Sequence, residues 1–370
     1  MELPRPDIDP DGLLEYSVVF TDRALNHMSA KFRQAMVELL DILRETYHGS
    51  AACIVPGGGS YAMEAVARQL MTDEPVLIVR NGFFSYRWSQ IIEAGSITDR
   101  QTVLCAREAE DGGYAPAPTE EVEAAIAQHR PKVVCAAHVE TASGMLLPDE
   151  YLRRVAAATH EVGGLFVLDC IASGPLWVDM GEIGVDVLIS APQKGWSGTP
   201  CAGYVILSEE GRRAVEATGS TSFSLGLGTW LKIADAYVAG GHAYHATMPT
   251  DALLHNLEVM REAREMGLET LRERQIELGA KVRSALEERG YASVAASGWQ
   301  SPTVVVCRTD DPGLAGRLID RGVQIAAGVP LKVGEPEDFT SFRIGLFGLD
   351  KWADIDSALS RLTRAFDALD

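Results

Sequence analysis

The sequence predicts an α/β chain, with a mainly parallel sheet covered by helices on both faces and a smaller α/β unit behind it. Three observations carry this. Short apolar runs such as VVCAA, LFVLD and DVLIS lack the in-out alternation of a half-exposed strand, so they belong to strands buried on both faces. Stretches with apolar residues at helical spacing lie between those runs. Glycine or polar turns join the two kinds of segment, as in βα units.

The elements follow in order. Residues 1–20 read as an irregular, acidic and Pro-rich arm. Ser29 is placed to cap a helix over AKFRQAMVELLDILRETY, whose Phe32, Met36, Leu39, Leu40 and Leu43 recur at helical spacing. AACIV, PGGG and SYAMEAVARQLM then spell strand, glycine turn and helix, and PVLIVR is a further strand. PKVVCAAHVE is a buried strand that runs into a polar loop, and DEYLRRVAAATHEVG is a helix closed by glycine. LFVLDC, DVLISAP and GYVILSEE complete the apolar strands. The stretch from 251 to 290 reads as one long, charge-rich helical run. TVVVCR, GLAGRLIDRGVQIAAG, SFRIGLFG and a last helix over WADIDSALSRLTRAFDAL form the smaller unit. The expected division is therefore an arm at 1–20, a large domain at 21–264 and a small domain at 265–370.

Composition narrows the function. The 370 residues hold 33 Lys and Arg against 52 Asp and Glu, a net charge of −19. That balance argues against a nucleic-acid or anionic-membrane partner, because phosphate-rich surfaces need clustered cations. It leaves room for one locally positive pocket. The six cysteines are scattered, with no Cys-x-x-Cys pair, so neither a metal site nor a dithiol motif is expected. The N-terminus lacks a basic region followed by an apolar core, and no run approaches the roughly 20 apolar residues of a membrane span. A cytoplasmic protein with reduced thiols is the expectation.

Two residues carry the chemistry. Lys194, in ISAPQKGWSG, follows an apolar strand directly. A strand-end lysine is most simply a surface residue. At the mouth of a parallel sheet, however, partial burial favours its neutral amine, which forms Schiff bases. Asp169 closes the apolar strand of LFVLDCIAS, where an unpaired carboxylate is expensive. It serves either as a structural cap or ion pair, or as the carboxylate that holds the protonated pyridine nitrogen of pyridoxal phosphate. Functional residues of such sheets sit at the carboxyl ends of strands, where both of these lie.

The ordered series NHMSAKFR, PGGGSYAMEA, NGFFSYRW, VVCAAHVETASGMLLP, LFVLDCIASGP, GVDVLISAPQKGW, YHATMPTDALL and FRIGLFG resembles the class V aminotransferases. Those are pyridoxal-phosphate enzymes of fold type I, and the resemblance points toward the alanine/serine–glyoxylate group. It runs from about residue 26 to the C-terminus and implies a seven-stranded sheet. It makes Lys194 the Schiff-base lysine and proton carrier, and Asp169 the partner of the pyridine nitrogen. It assigns Gly58, Gly59 and Ser60 to the phosphate turn, a role that a helix N-terminus also favours physically. It sets Phe84 against the cofactor ring, Thr141 near the ring oxygen and Gln193 near the phosphate. Tyr244 and Thr247 match residues that reach the phosphate from a neighbouring subunit, which implies a homodimer with shared sites. Arg343 matches the arginine that grips a substrate carboxylate through two parallel hydrogen bonds.

The implied reaction moves an amino group from a small, alanine- or serine-like donor to a 2-oxo acid such as glyoxylate or pyruvate. Other reactions of the same fold and cofactor remain open, namely a lyase, decarboxylase or desulfurase. A nucleotide-binding oxidoreductase fits less well, because PGGGS lacks the full G-x-G-x-x-G spacing. A non-catalytic binder has no need of both Lys194 and Asp169. Three features depart from the family pattern: EYSVVFTDRALNHMS stands where a Pro-Gly-Pro turn is usual, Ser60 and Phe84 replace larger groups, and the loop GWSGTPCAG after Lys194 differs from the usual sequence. Trp196, in that loop, is expected either to shape the pocket or to pack at a subunit interface. His138 and Glu140 lie at the same strand mouth, and His138 reads as a satisfied structural histidine.

Overall fold

A computed structural model describes residues 2–369. Ser29 caps the first helix, α1 (Ala30–Tyr47), by accepting a hydrogen bond from the Phe32 N–H, and the expected apolar stripe is buried. Strand β1 (Ala51–Pro56) leads through the glycine turn into α2 (Gly59–Leu70). Strand β2 (Val76–Arg80) leads into α3 (Phe83–Gly95). The remaining strands of the main sheet are β3 (Gln101–Cys105), β4 (Val133–Ala137), β5 (Leu165–Asp169), β6 (Val187–Ser190) and β7 (Ala202–Leu207).

These strands form a seven-stranded sheet in the order β1-β7-β6-β5-β4-β2-β3. Strand β7 runs antiparallel to both of its neighbours, and every other pairing is parallel. The central strands are buried along their whole length, as their unbroken apolar runs require. Pairing sets Asp169 level with Ala137 on one side and Ile189 on the other. The carboxyl ends of β4, β5 and β6 thus open into one crevice, and the loop carrying Lys194 leaves from the end of β6.

The C-terminal part holds a second, antiparallel sheet of β8 (Val304–Arg308), β9 (Ala326–Ala327) and β10 (Ser341–Gly345), with β10 in the middle. The long helical run of residues 251–290 is two helices, Thr250–Met266 and Leu268–Glu287, broken at Gly267, whose φ is +89°. The break lies close to the expected boundary at 265. The last helical run is likewise divided, at Asp354, whose side chain caps the second piece. All six cysteines are free, and Cys105 and Cys201 are the half-buried ones. Among the described residues, no helix is long and apolar enough to cross a membrane.

Candidate active site

Helix α2 begins just after the glycine turn that follows β1. The Gly59 and Ser60 N–H groups have no backbone partner among the described residues, whereas Tyr61 and Ala62 donate to the Gly58 carbonyl. The positive end of the helix dipole lies at this turn, and Gly59 and Ser60 line the crevice. The chain meets the next strand end closely here. A Cβ on Gly59 would fall 2.4 Å from Ile171 Cδ1, so the approach needs a glycine. Lys194 is seated in the same way. A Cβ on the following residue, Gly195, would fall 2.3 Å from the Gly174 carbonyl oxygen.

Gly59, Ser60, Phe84, Thr141, Asp169, Gln193 and Lys194 line a single cavity of about 220 Å³. Seven residues singled out from distant parts of the sequence therefore converge. Gly58 is the residue preceding α2 and does not line that space. Arg343, in β10, lies on the far side of Phe84, with its guanidinium carbon 5.7 Å from the ring centroid and its Nε donating to the Ala327 carbonyl at 3.0 Å. Tyr244 and Thr247 stand apart from this cavity. They share a 3.3 Å hydrogen bond on an exposed segment, where the Tyr244 ring is 5.6 Å from that of His27.

Among the described residues, the one carboxylate that lines the cavity, Asp169, forms no ion pair. Asp169 is buried, and its Oδ1 accepts from the Ile171 N–H at 2.9 Å. Burial pushes its pKa up to about 7, with Glu140 adding to the rise and Arg87 and Lys194 opposing it. A ring N–H cation set against Asp169 would supply the missing partner. Burial lowers the pKa of Lys194, and the charge of Arg343 lowers it further. Its amine therefore loses a proton more readily than an exposed lysine does. The Lys194 Nζ also stands 5.0 Å from the ring centroid of Phe347. Gln193 has a buried Oε1 without a hydrogen-bond partner. A cradle at a helix N-terminus, a lone buried carboxylate and a depressed lysine together fit pyridoxal phosphate.

Three residues take roles that the sequence alone does not show. Glu140 is fully buried and accepts hydrogen bonds from the backbone N–H groups of Phe84, Ser85 and Ala142. Arg87 lines the cavity one helical turn beyond Phe84. Trp196 neither shapes the pocket nor faces outward. It is buried in the core, its ring centroid 4.6 Å from that of Trp177 and 6.4 Å from that of Tyr47. The aromatic cluster behind the sheet absorbs its large apolar area. His138 is buried and bonded to Ser173 at 2.9 Å, and burial lowers its pKa to about 4.

Comparison with known proteins agrees with this geometry. The family profile described as aminotransferase class-V matches residues 13–329. The 2-aminoethylphosphonate–pyruvate transaminase of Salmonella paratyphi B is 27% identical over 347 residues, which cover 90% of this chain and 88% of that protein. The enzyme of the same name from Aeromonas hydrophila is 29% identical, and that match spans 69% of this chain and 64%, just under two thirds, of the relative. Among solved structures, alanine–glyoxylate aminotransferase from Nostoc sp. superposes with a TM-score of 0.79 at 23% identity, covering 92% of this chain and 89% of the other. Aspartate aminotransferase from Thermus thermophilus gives 0.76 at 24% identity, covering 93% of each chain. The chain belongs to the class V aminotransferase family and is a pyridoxal-phosphate-dependent transaminase of fold type I.

Proposed function

We propose that this transaminase moves an amino group from a small amine or amino acid to a 2-oxo acid such as pyruvate or glyoxylate. The observation that carries the reading is the meeting of Lys194 and Asp169 in one buried cavity beside a helix N-terminus. Two relatives named as 2-aminoethylphosphonate–pyruvate transaminases support a small donor and pyruvate as acceptor.

Pyridoxal phosphate, when bound, supplies the electron sink that stabilises charge at the substrate's α-carbon. The chain supplies the rest. Asp169 would hold the ring N–H cation. The first turn of α2, with Gly59 and Ser60 and with Gly58 leading into it, would hold the phosphate, assisted by Gln193. Phe84 and Thr141 would flank the ring. The Lys194 amine, at the same cavity, would anchor the cofactor and act as the base that takes the substrate's α-carbon proton. Arg343 grips the substrate carboxylate.

The same reading includes a cytoplasmic homodimer with shared sites. Its support is the location of Tyr244 and Thr247, off their own chain's cavity, together with the exposed apolar side chains of Tyr16, Val18 and Phe223. Mixing a Lys194→Ala subunit with a Tyr244→Phe/Thr247→Ala subunit tests it. Recovered turnover above either parent supports sharing, and no recovery opposes it.

The primary test is the visible spectrum of the purified protein, read after adding alanine, serine or aminoethylphosphonate in turn. One donor is expected to bleach the band and release its carbonyl product. A yellow protein that no donor bleaches, with carbon dioxide or sulfide as product, would replace transamination by lyase chemistry. A protein that stays colourless with added pyridoxal phosphate would overturn the reading.

A further inference from the structure

Arg87 lies on α3, three residues after Phe84, so both side chains project from one face of that helix. Its guanidinium carbon stands 5.0 Å from the Phe84 ring centroid. Its Nη1 donates to Ser60 Oγ at 2.8 Å, which ties α3 to the first turn of α2. Among the described residues no carboxylate forms an ion pair with it, in a chain that carries a net charge of −19. Arg87 bonds to a hydroxyl, stands over an aromatic ring and lines the cavity, where its charge also acts on the buried Asp169.

The direction of the hydrogen bond matters. A guanidinium has donors and no acceptor, so Ser60 Oγ must accept. The serine's own O–H is then free to be donated elsewhere, next to unpartnered N–H groups at the start of α2. A cation, a hydroxyl held as a donor and a helix N-terminus form one anion site.

We propose that Arg87 is a positioning residue and countercharge for the cofactor phosphate, holding Ser60 so that its hydrogen is directed at the anion. This rests on the assignment of the Gly58–Ser60 turn to that phosphate. The glycine turn offers partial charges alone, and Arg87 adds a full positive charge to balance a dianion. Its position over the Phe84 ring and its bond to Ser60 link the ring wall and the phosphate cradle through one side chain.

The test uses the full-length protein stripped of cofactor and titrated with pyridoxal phosphate, with pyridoxal, and with inorganic phosphate as competitor. Arg87→Gln is expected to weaken pyridoxal phosphate on the order of 10- to 100-fold while pyridoxal changes about twofold or less. Arg87→Lys should restore part of the loss. Ser60→Ala and Arg87→Gln combined should cost less than the product of the two single losses, because they act through one hydrogen bond. Unchanged thermal unfolding of Arg87→Gln excludes a folding defect. Equal weakening of both ligands would make Arg87 a structural bridge and overturn the proposal, as would unaltered pyridoxal phosphate affinity. A wild-type protein that binds pyridoxal as tightly as its phosphate ester would instead remove the phosphate assignment itself.

Discussion

Glu140 Oε2 accepts two hydrogen bonds from Ser85, one from the backbone N–H at 2.8 Å and one from the hydroxyl at 2.7 Å. Its Oε1 accepts from Phe84 N–H at 3.1 Å and Ala142 N–H at 2.9 Å. A fully buried carboxylate thus sits on the N-terminus of α3 and holds both Phe84 and the turn bearing Thr141. The helix dipole and charge-assisted bonds offset its desolvation. Removing it leaves three backbone N–H groups without their acceptor, whereas the Ser85 hydroxyl can still donate to the Gly82 carbonyl at 3.0 Å.

Glu140→Ala is expected to destabilise the protein by about 3 kcal/mol in urea unfolding, since each orphaned donor costs on the order of 1–3 kcal/mol and neighbours are not additive. Glu140→Gln should cost less, because one oxygen remains to accept. Equal stability of the Ala variant and wild type would show that water replaces the carboxylate.

Asp169 implies a specific pH dependence in the cofactor-free protein. Burial raises its pKa from 3.8 to about 7. The native state therefore holds the proton more tightly than the unfolded chain does. The sign follows: the group costs nothing below the unfolded pKa, and stability falls as pH rises between the two values. Asp169→Asn keeps an acceptor for the Ile171 N–H and removes the charge. It should be more stable than wild type by roughly 2–4 kcal/mol at pH 8 and equal to it near pH 4. Guanidinium unfolding at the two pH values measures this, and a difference that does not change with pH would refute the isolated buried charge. The holoenzyme should show the reverse, because the variant loses the anion that its cofactor requires.

Gly195 offers a purely steric prediction. A side chain there meets the backbone of Gly174, with the carbonyl oxygen 2.3 Å and the carbonyl carbon 2.7 Å from the new Cβ. Backbone cannot rotate away as a flexible side chain does. Gly195→Ala should cost about 1–3 kcal/mol and displace Lys194 from the cavity. Loss of turnover with retained secondary structure by circular dichroism is the expected pair of results. An active, equally stable variant would mean that the two loops slide apart freely.

The parts visible in the sequence were those set by local physics. Ser29 caps α1 because a hydroxyl before an apolar helical stripe satisfies a first-turn N–H, and that needs only neighbours in sequence. Buried strands announce themselves by unbroken apolar runs. The helix break at Gly267 was hidden because good helix formers continue on both sides and one glycine costs only about 1 kcal/mol. Asp169 and Lys194 stood out because each is a charge at the end of an apolar run. Arg87 did not, since its meaning arises where two βα units place α2 beside α3. Trp196 showed the opposite failure: its nearness to Lys194 in sequence suggested a pocket role, yet the chain turns it back into the core with Trp177.

Arg343 gives a prediction that separates binding from chemistry. It lies on the central strand of the antiparallel sheet, paired with Val306 on one side and Ala326 on the other. Its Nε is held by the Ala327 carbonyl, which leaves the forked end of the guanidinium for a carboxylate. Arg343→Ala should raise KM on the order of 100-fold for substrates carrying an α-carboxylate, with a smaller change in kcat. An amine without a carboxylate should be affected threefold or less, and Arg343→Lys should recover only part, because an ammonium cannot bind in the same two-pronged way. A second readout follows from the charge. Burial is the larger cause of the lowered Lys194 pKa, and Arg343 is the next. Removing the guanidinium favours the protonated amine, so in the cofactor-free protein the Lys194 pKa, read from the pH dependence of its modification by an amine-reactive reagent, should move up. Unchanged KM values for every carboxylate substrate, with the Lys194 pKa of the cofactor-free protein unmoved, would take Arg343 out of the site.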